Sequence, residues 1–152
     1  MRLLGNIIWF FLGGIVIGLV WWMVSLIAFV SIIGIPWGRA CFVIGQFSFF
    51  PFGKEAVMRD EMTLQHDIGT GAFGTLGNII WFFMAGFWLA IIHLLCALMC
   101  IITIIGIPFG LQHFKLAKIS LMPIGQMIVD IDVAEAMKRR NADAFVASQQ
   151  QS

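Results

Sequence analysis

The chain has 152 residues, 61% of them hydrophobic and only 11% charged, with a formal net charge of +1. About 25% of an ordinary soluble domain is charged, so the composition excludes one. The near-neutral balance argues against nucleic acid as a partner. Three cysteines, two of them inside an apolar tract, exclude a secreted disulfide framework and read as small packing residues.

Arg2 opens the chain, and no Asp, Glu, Lys or Arg follows from Leu3 to Gly38. About 20 apolar residues cross a bilayer, so this tract is long enough for one span. It far exceeds the roughly 7–15 apolar residues of a signal peptide and ends in no small-x-small cleavage site, which predicts a retained helix. Asn6 suits the N-cap and the helix is expected to run to about residue 31. Gly14-x-x-x-Gly18 on it offers a surface where a second backbone can approach closely, within one chain or between two. Trp9 and Trp37 fit aromatic-belt anchors, whereas Trp21 and Trp22 fall deeper and are expected to face protein.

Ile32-Ile33-Gly34-Ile35-Pro36 should stop this helix, with glycine as the left-handed closing residue and the isoleucine before proline extended. A shorter helix at about 37–50 carries Arg39 and ends at Pro51-Phe52-Gly53. A charge at mid-bilayer costs roughly 2.5–3.5 kcal/mol even on the lenient insertion scale, which argues for an interfacial or re-entrant helix. The segment 58–75 reads as a polar loop whose acids, Glu61 and Asp67 among them, form a solvated surface.

The same parts then return, shifted by 72 residues without a gap, with 21 identities between residues 4–57 and 76–129. Leu76-Gly77-Asn78-Ile79-Ile80-Trp81 repeats Leu4 to Trp9, and Ile104-Ile105-Gly106-Ile107-Pro108 repeats the break. Gly14 and Gly18 correspond to Gly86 and Ala90, strengthening the packing-face reading. Trp81 joins the expected belt and Trp88 the deeper set. The second uncharged tract runs from Ile68 to Phe114, and Lys115 and Lys118 lie in the shorter helix that follows. Residues 130–152 read as a soluble tail, with a short helix from Val133 to Val146 and a Gln-rich disordered end.

The fold class expected is an all-α integral membrane protein of two repeats, each a transmembrane helix, an Ile-Gly-Ile-Pro break and a short interfacial or re-entrant helix. Repeat one spans 1–57 and repeat two 76–129. One crossing per repeat makes the two an inverted pair. Arg2, Lys115, Lys118 and Lys138-Arg139-Arg140 outnumber Arg39, Lys54 and Arg59, so both termini should be cytoplasmic and loop 58–75 extracytoplasmic.

Two places could carry chemistry. Broken membrane helices free carbonyls that transporters use to hold ions, so Ser31, Gly34, Pro36, Thr103, Gly106 and Pro108 form a candidate helix-break or ion site. The bland alternative has the two hydroxyls capping the freed carbonyls. His93 is the one ionisable side chain deep in either tract and a candidate intramembrane polar group. It shares a helix face with Cys96 and Cys100, which would suit a soft metal only with ligands from elsewhere. A hydrogen-bonded packing histidine is the preferred reading, and no metal or other cofactor is expected.

The duplicated Gly-Asn-Ile-Ile-Trp-Phe and Ile-Ile-Gly-Ile-Pro-x-Gly motifs, with Pro51-Phe52-Gly53-x-Glu55-Ala56, resemble the YccF family of bacterial inner membrane component domains over residues 1–140. The resemblance implies a small multi-pass protein of the bacterial inner membrane and brings no catalytic residue. With no phosphate loop, nucleophile elbow or paired metal motif, an enzyme is not expected. The expectation is an accessory or scaffold component acting through helix packing, in contact with membrane lipids, a second copy of itself or another inner membrane protein. An oligomeric channel or small transporter for ions or small molecules is the alternative.

Overall fold

The computed structural model describes residues 2–32 and 34–150. Ile33 of the first break, and Gln151 and Ser152 of the Gln-rich end, lie outside the described residues. Helix α1 spans Arg2–Val30 and α2 Ile35–Phe49; strand β1 (Lys54–Met58) and the short helix α3 (Arg59–Thr63) follow. The second repeat gives α4 (Ala72–Ile101), a single 3-10 turn (Ile104–Gly106), α5 (Ile107–Leu121) and β2 (Gln126–Asp130). Helix α6 (Ile131–Gln149) closes the chain. The two long helices are apolar enough to cross a membrane, at 29 and 30 residues or about 43–45 Å each.

Each repeat is a helical hairpin. The shorter helix folds back along the longer one, so α1 pairs with α2 and α4 with α5. Both long helices carry a π-turn at the same place, Phe10–Gly14 and Phe82–Gly86, in which Ile15 N–H reaches the Phe10 carbonyl and Phe87 N–H that of Phe82. A π-turn closes a five-residue ring, and here it brings Trp9 over Gly14 and Trp81 over Gly86.

Two short strands join the repeats, a feature not foreseen in the sequence. β1 and β2 pair antiparallel, with Lys54 opposite Asp130, Ala56 opposite Ile128 and Met58 opposite Gln126. In the 72-residue alignment Lys54 corresponds to Gln126 and Met58 to Asp130. The register is therefore twofold symmetric about the Ala56–Ile128 pair, and the repeats are related by a pseudo-twofold axis there. The contacts between repeats obey the same symmetry. Trp37 at the start of α2 donates from Nε1 to Gly77 O at 3.2 Å, and Phe109 at the start of α5 packs on Trp9 and Phe52. The core draws Trp9, Trp21, Cys41, Ile44 and Phe47 from one repeat and Trp81, Leu116 and Ile119 from the other.

Several expectations are corrected here. The tail is not a free appendage: α6 buries Ala134 and Met137 against Val57 of the ribbon. Nor can a bilayer separate segment 58–75 from residues 130–152. Arg140 Nη2 donates to the carbonyls of Glu61 and Met62 at 3.0 and 3.1 Å, Asn141 donates to Glu61 O, and Lys138 pairs with Glu55 at 2.8 Å. Loop and tail form one polar head. The chain start joins it through Arg2, which grips Asp132 with two nitrogens at 3.1 and 3.2 Å. Hairpin one thus leaves the head and returns to it, where a single crossing was expected.

Candidate functional site

The duplicated asparagines do not cap helices; they lie inside α1 and α4 and clamp the returning chain. Asn78 Nδ2 donates to Ile124 O at 3.0 Å while its Oδ1 accepts from Ile124 N at 2.9 Å. Asn6 makes the same pair of bonds with Phe52. Each clamp holds the residue between the proline and the glycine of a Pro-x-Gly turn, and Gly53 (φ 84°) and Gly125 (φ 91°) supply the left-handed conformation such a turn requires.

Trp9 and Trp81 are buried and belong to the same device, which corrects the belt assignment. Trp9 Nε1 donates to Ser48 O at 2.7 Å and Trp81 Nε1 to Ser120 O at 2.8 Å. Trp37 is tied to Gly77, so none of the three stands free as an anchor. Trp21 is buried beside Trp81 and Trp22 stacks on Phe42, whereas Trp88, expected to face protein, is 61% exposed.

The small-residue faces are used within each hairpin. A Cβ on Gly14 would stand 2.5 Å from the Trp9 ring and 3.1 Å from Ser48 O; one on Gly18 would strike Phe49. A Cβ on Gly86 would lie 2.8 Å from Ser120 O, and Ala90 is buried. These residues let the longer helix approach its own return helix, so they are not left open as a face for a second chain.

At the breaks the hydroxyls are engaged locally. Ser31 Oγ donates to Ala28 O and accepts from Gly34 N; Thr103 Oγ1 donates to Cys100 O and accepts from Gly106 N. Neither glycine is left-handed: Gly34 has φ −78° and Gly106 φ −78°, and the positive φ falls on Ile32 at 56°. Glycine is needed there for space, because a Cβ on Gly34 would meet Ala28 O at 2.6 Å and one on Gly106 would collide with Cys100 O. Ile35 and Ile107 are also helical rather than extended. Their N–H groups bond Ile32 O and Ile104 O, which holds them in the first turn, and Pro36 and Pro108 occupy opening positions that need no N–H donor.

His93 faces the return helix, where its Nδ1 lies 3.2 Å from Nδ1 of His113, both rings being buried. For that pair to bond, one Nδ1 carries the proton and the other accepts it. The matched positions in repeat one are Trp21 and Cys41, so the repeats diverge where the core is most buried. His113 also sits 4.9 Å from the Trp9 ring. Cys96 and Cys100 do not converge on His93. They line a cleft of about 460 Å³ with Gly13, Gly14 and Thr103, between α4 and α1. Among the described residues no three His, Cys, Asp or Glu side chains come close enough to hold a metal.

A second cavity, of about 500 Å³, opens between the start of α2 and the foot of α4 and includes Arg39 and Arg59 in its lining. Arg59 is held by Asp67, through Nε to Oδ2 at 2.8 Å and Nη2 to Oδ1 at 2.9 Å. That guanidinium, with the backbone N–H groups of Gly69 and Thr70, keeps the Asp67 carboxyl well below the usual carboxylate range. Arg2 depresses Asp132 in the same way. Lys115 reaches the head by donating to Lys54 O at 3.1 Å. The pairing of Asn, Trp and Pro-x-Gly had a readable signal: both copies set Asn 46 residues before its partner and Trp 39 residues before its serine.

Comparison with known proteins agrees with this doubled architecture. A sequence profile of the YccF inner membrane component domain matches the chain twice, at residues 4–54 and 76–126. Inner membrane protein YccF of Escherichia coli (strain K12) is 36% identical over 143 residues, which cover 93% of this chain and 97% of the relative. The protein of that name from Shigella flexneri matches over the same extent at the same identity. No solved structure matches.

Proposed function

Since the chain belongs to the YccF family of inner membrane component domains, we propose that it serves the bacterial inner membrane as an accessory component, a doubled hairpin carrying one polar head. One observation supports this over a channel: the serine, threonine and histidine side chains of the hairpins are engaged within the protein, although the buried Gln112 Oε1 has no partner among the described residues. Ser25 donates to Gly38 O at 2.7 Å, and Ser48 and Ser120 bond the carbonyls one turn back. Ser31 and Thr103 cap their own helices, and His93 is met by His113. A conducting path needs polar groups turned toward a lumen, and these turn toward backbone. Purified protein reconstituted in liposomes is therefore expected to give no selective ion flux above that of empty vesicles. A selective flux abolished by Thr103→Val or His93→Phe would favour the channel.

Both return helices touch the ribbon of the head, α2 packing against β2 and α5 against β1. That supports an interfacial seat for them, with α1 and α4 supplying the apolar flanks. The flanks leave Phe11, Leu26, Phe83 and Leu98 exposed for lipid or for another inner membrane protein. Arg2, Lys54, Arg59, Lys115 and the run Lys138 to Arg140 all belong to or touch the head, and positive charge on short segments favours the cytoplasmic face. The head is accordingly assigned to the cytoplasm.

A further inference from the structure

We propose that the cavity between the start of α2 and the foot of α4 binds one anionic phospholipid, with its phosphate on Arg39, beside the Asp67-held Arg59, and an acyl chain along the apolar wall. At about 500 Å³ the cavity falls within the roughly 300–1,000 Å³ of ligand clefts. Its lining has two parts. Val43, Phe73, Leu76 and Ile80 give a hydrocarbon wall, and the two guanidiniums give a cationic end beside Gln126. An amphiphile with an anionic head matches both parts, whereas a free anion would leave the wall unused.

Arg39 is the only charged residue between Leu3 and Gly53. Leu111 takes its place in the second repeat, so the hairpin itself does not require a cation there. Arg39 is exposed, and among the described residues it has neither a carboxylate nor a carbonyl partner. Arg59 is already balanced by Asp67, so the cationic end carries one net positive charge, the complement of a phosphodiester. Guanidinium groups bind phosphate through paired N–H donors, which a lone surface charge does not reproduce.

The test uses the full-length protein in detergent with equimolar phosphatidylglycerol and phosphatidylcholine, and native mass spectrometry to count retained lipid. One phosphatidylglycerol should remain bound, preferred about fivefold over phosphatidylcholine, as expected for one cation at a membrane surface. Arg39→Leu should bring that preference to parity, while Arg139→Leu in the tail should leave it intact. Leu76→Trp keeps both arginines but fills the cavity, and should lower the retained lipid as well. Parity in the unaltered protein, or a preference that survives Arg39→Leu, would overturn the proposal. So would displacement of the lipid by millimolar inorganic phosphate, because a site for the free anion alone would not need the apolar wall.

Discussion

An asparagine that gives both its donor and its acceptor to the backbone C=O and N–H of one residue acts as a short piece of added strand. In water those bonds would be worth little, but Asn78 is 4% exposed, and its loss strands a buried N–H and a buried carbonyl of Ile124. Each stranded group costs about 1–3 kcal/mol. Asn78→Ala is therefore expected to destabilise the folded protein by about 2–6 kcal/mol, counting two such groups. Asn6→Ala should cost less, since its Phe52 partner is only partly buried. Thermal or denaturant unfolding in detergent would rank the two, and equal, negligible losses would show that the clamp is idle. The residue type and place were legible from the duplication, but the role was not. An Asn before an apolar run reads as a cap, and only the constant distance to Pro-x-Gly points to a tertiary partner.

At the level of elements, the helices and their breaks were legible because hydropathy and proline are local signals. The ribbon was not, since Lys54-Glu-Ala-Val-Met and Gln126-Met-Ile-Val-Asp are five residues each and share no strict alternation. Their strand character comes from pairing across the pseudo-twofold axis, which no local window contains. The helix pair α4–α5 shows the converse. His93 stands out in the sequence by its depth, yet its partner lies 20 residues on, where α5 brings His113 alongside. His93→Phe alone leaves a buried His113 nitrogen without its bond, so it should destabilise by about 1–3 kcal/mol. Repeat one carries Trp21 and Cys41 at the matched positions, both buried. The double change His93→Trp with His113→Cys removes both polar rings together and should recover part of that loss. A double-mutant cycle on unfolding stability measures the coupling. Strict additivity of the two changes would mean that the histidines do not act as a pair.

The whole molecule is governed by where its polar surface collects. One crossing per repeat would divide the cations between two faces and put the loop and the tail on opposite sides. The structure joins them through side chains far apart in sequence: Lys138 to Glu55, Arg140 to the carbonyls of Glu61 and Met62, Lys54 to Asp130 and Arg2 to Asp132. Most of these bonds are exposed and individually weak, so their weight is geometric rather than energetic. What holds the head together is the ribbon and the burial of Ala134 and Met137 against Val57. A bilayer core about 30 Å thick cannot lie between strands that are hydrogen-bonded to one another. Reporter fusions placed after Gln149 and within the loop near Gln65 should accordingly give signals from the same side. A cysteine pair introduced at Ala56 and Ile128, opposite one another at the axis, should crosslink in intact membranes. Opposite-side reporters would separate the ribbon strands and overturn both the single head and its assignment to the cytoplasm. Same-side reporters on the periplasmic face would keep the head and reverse only its orientation.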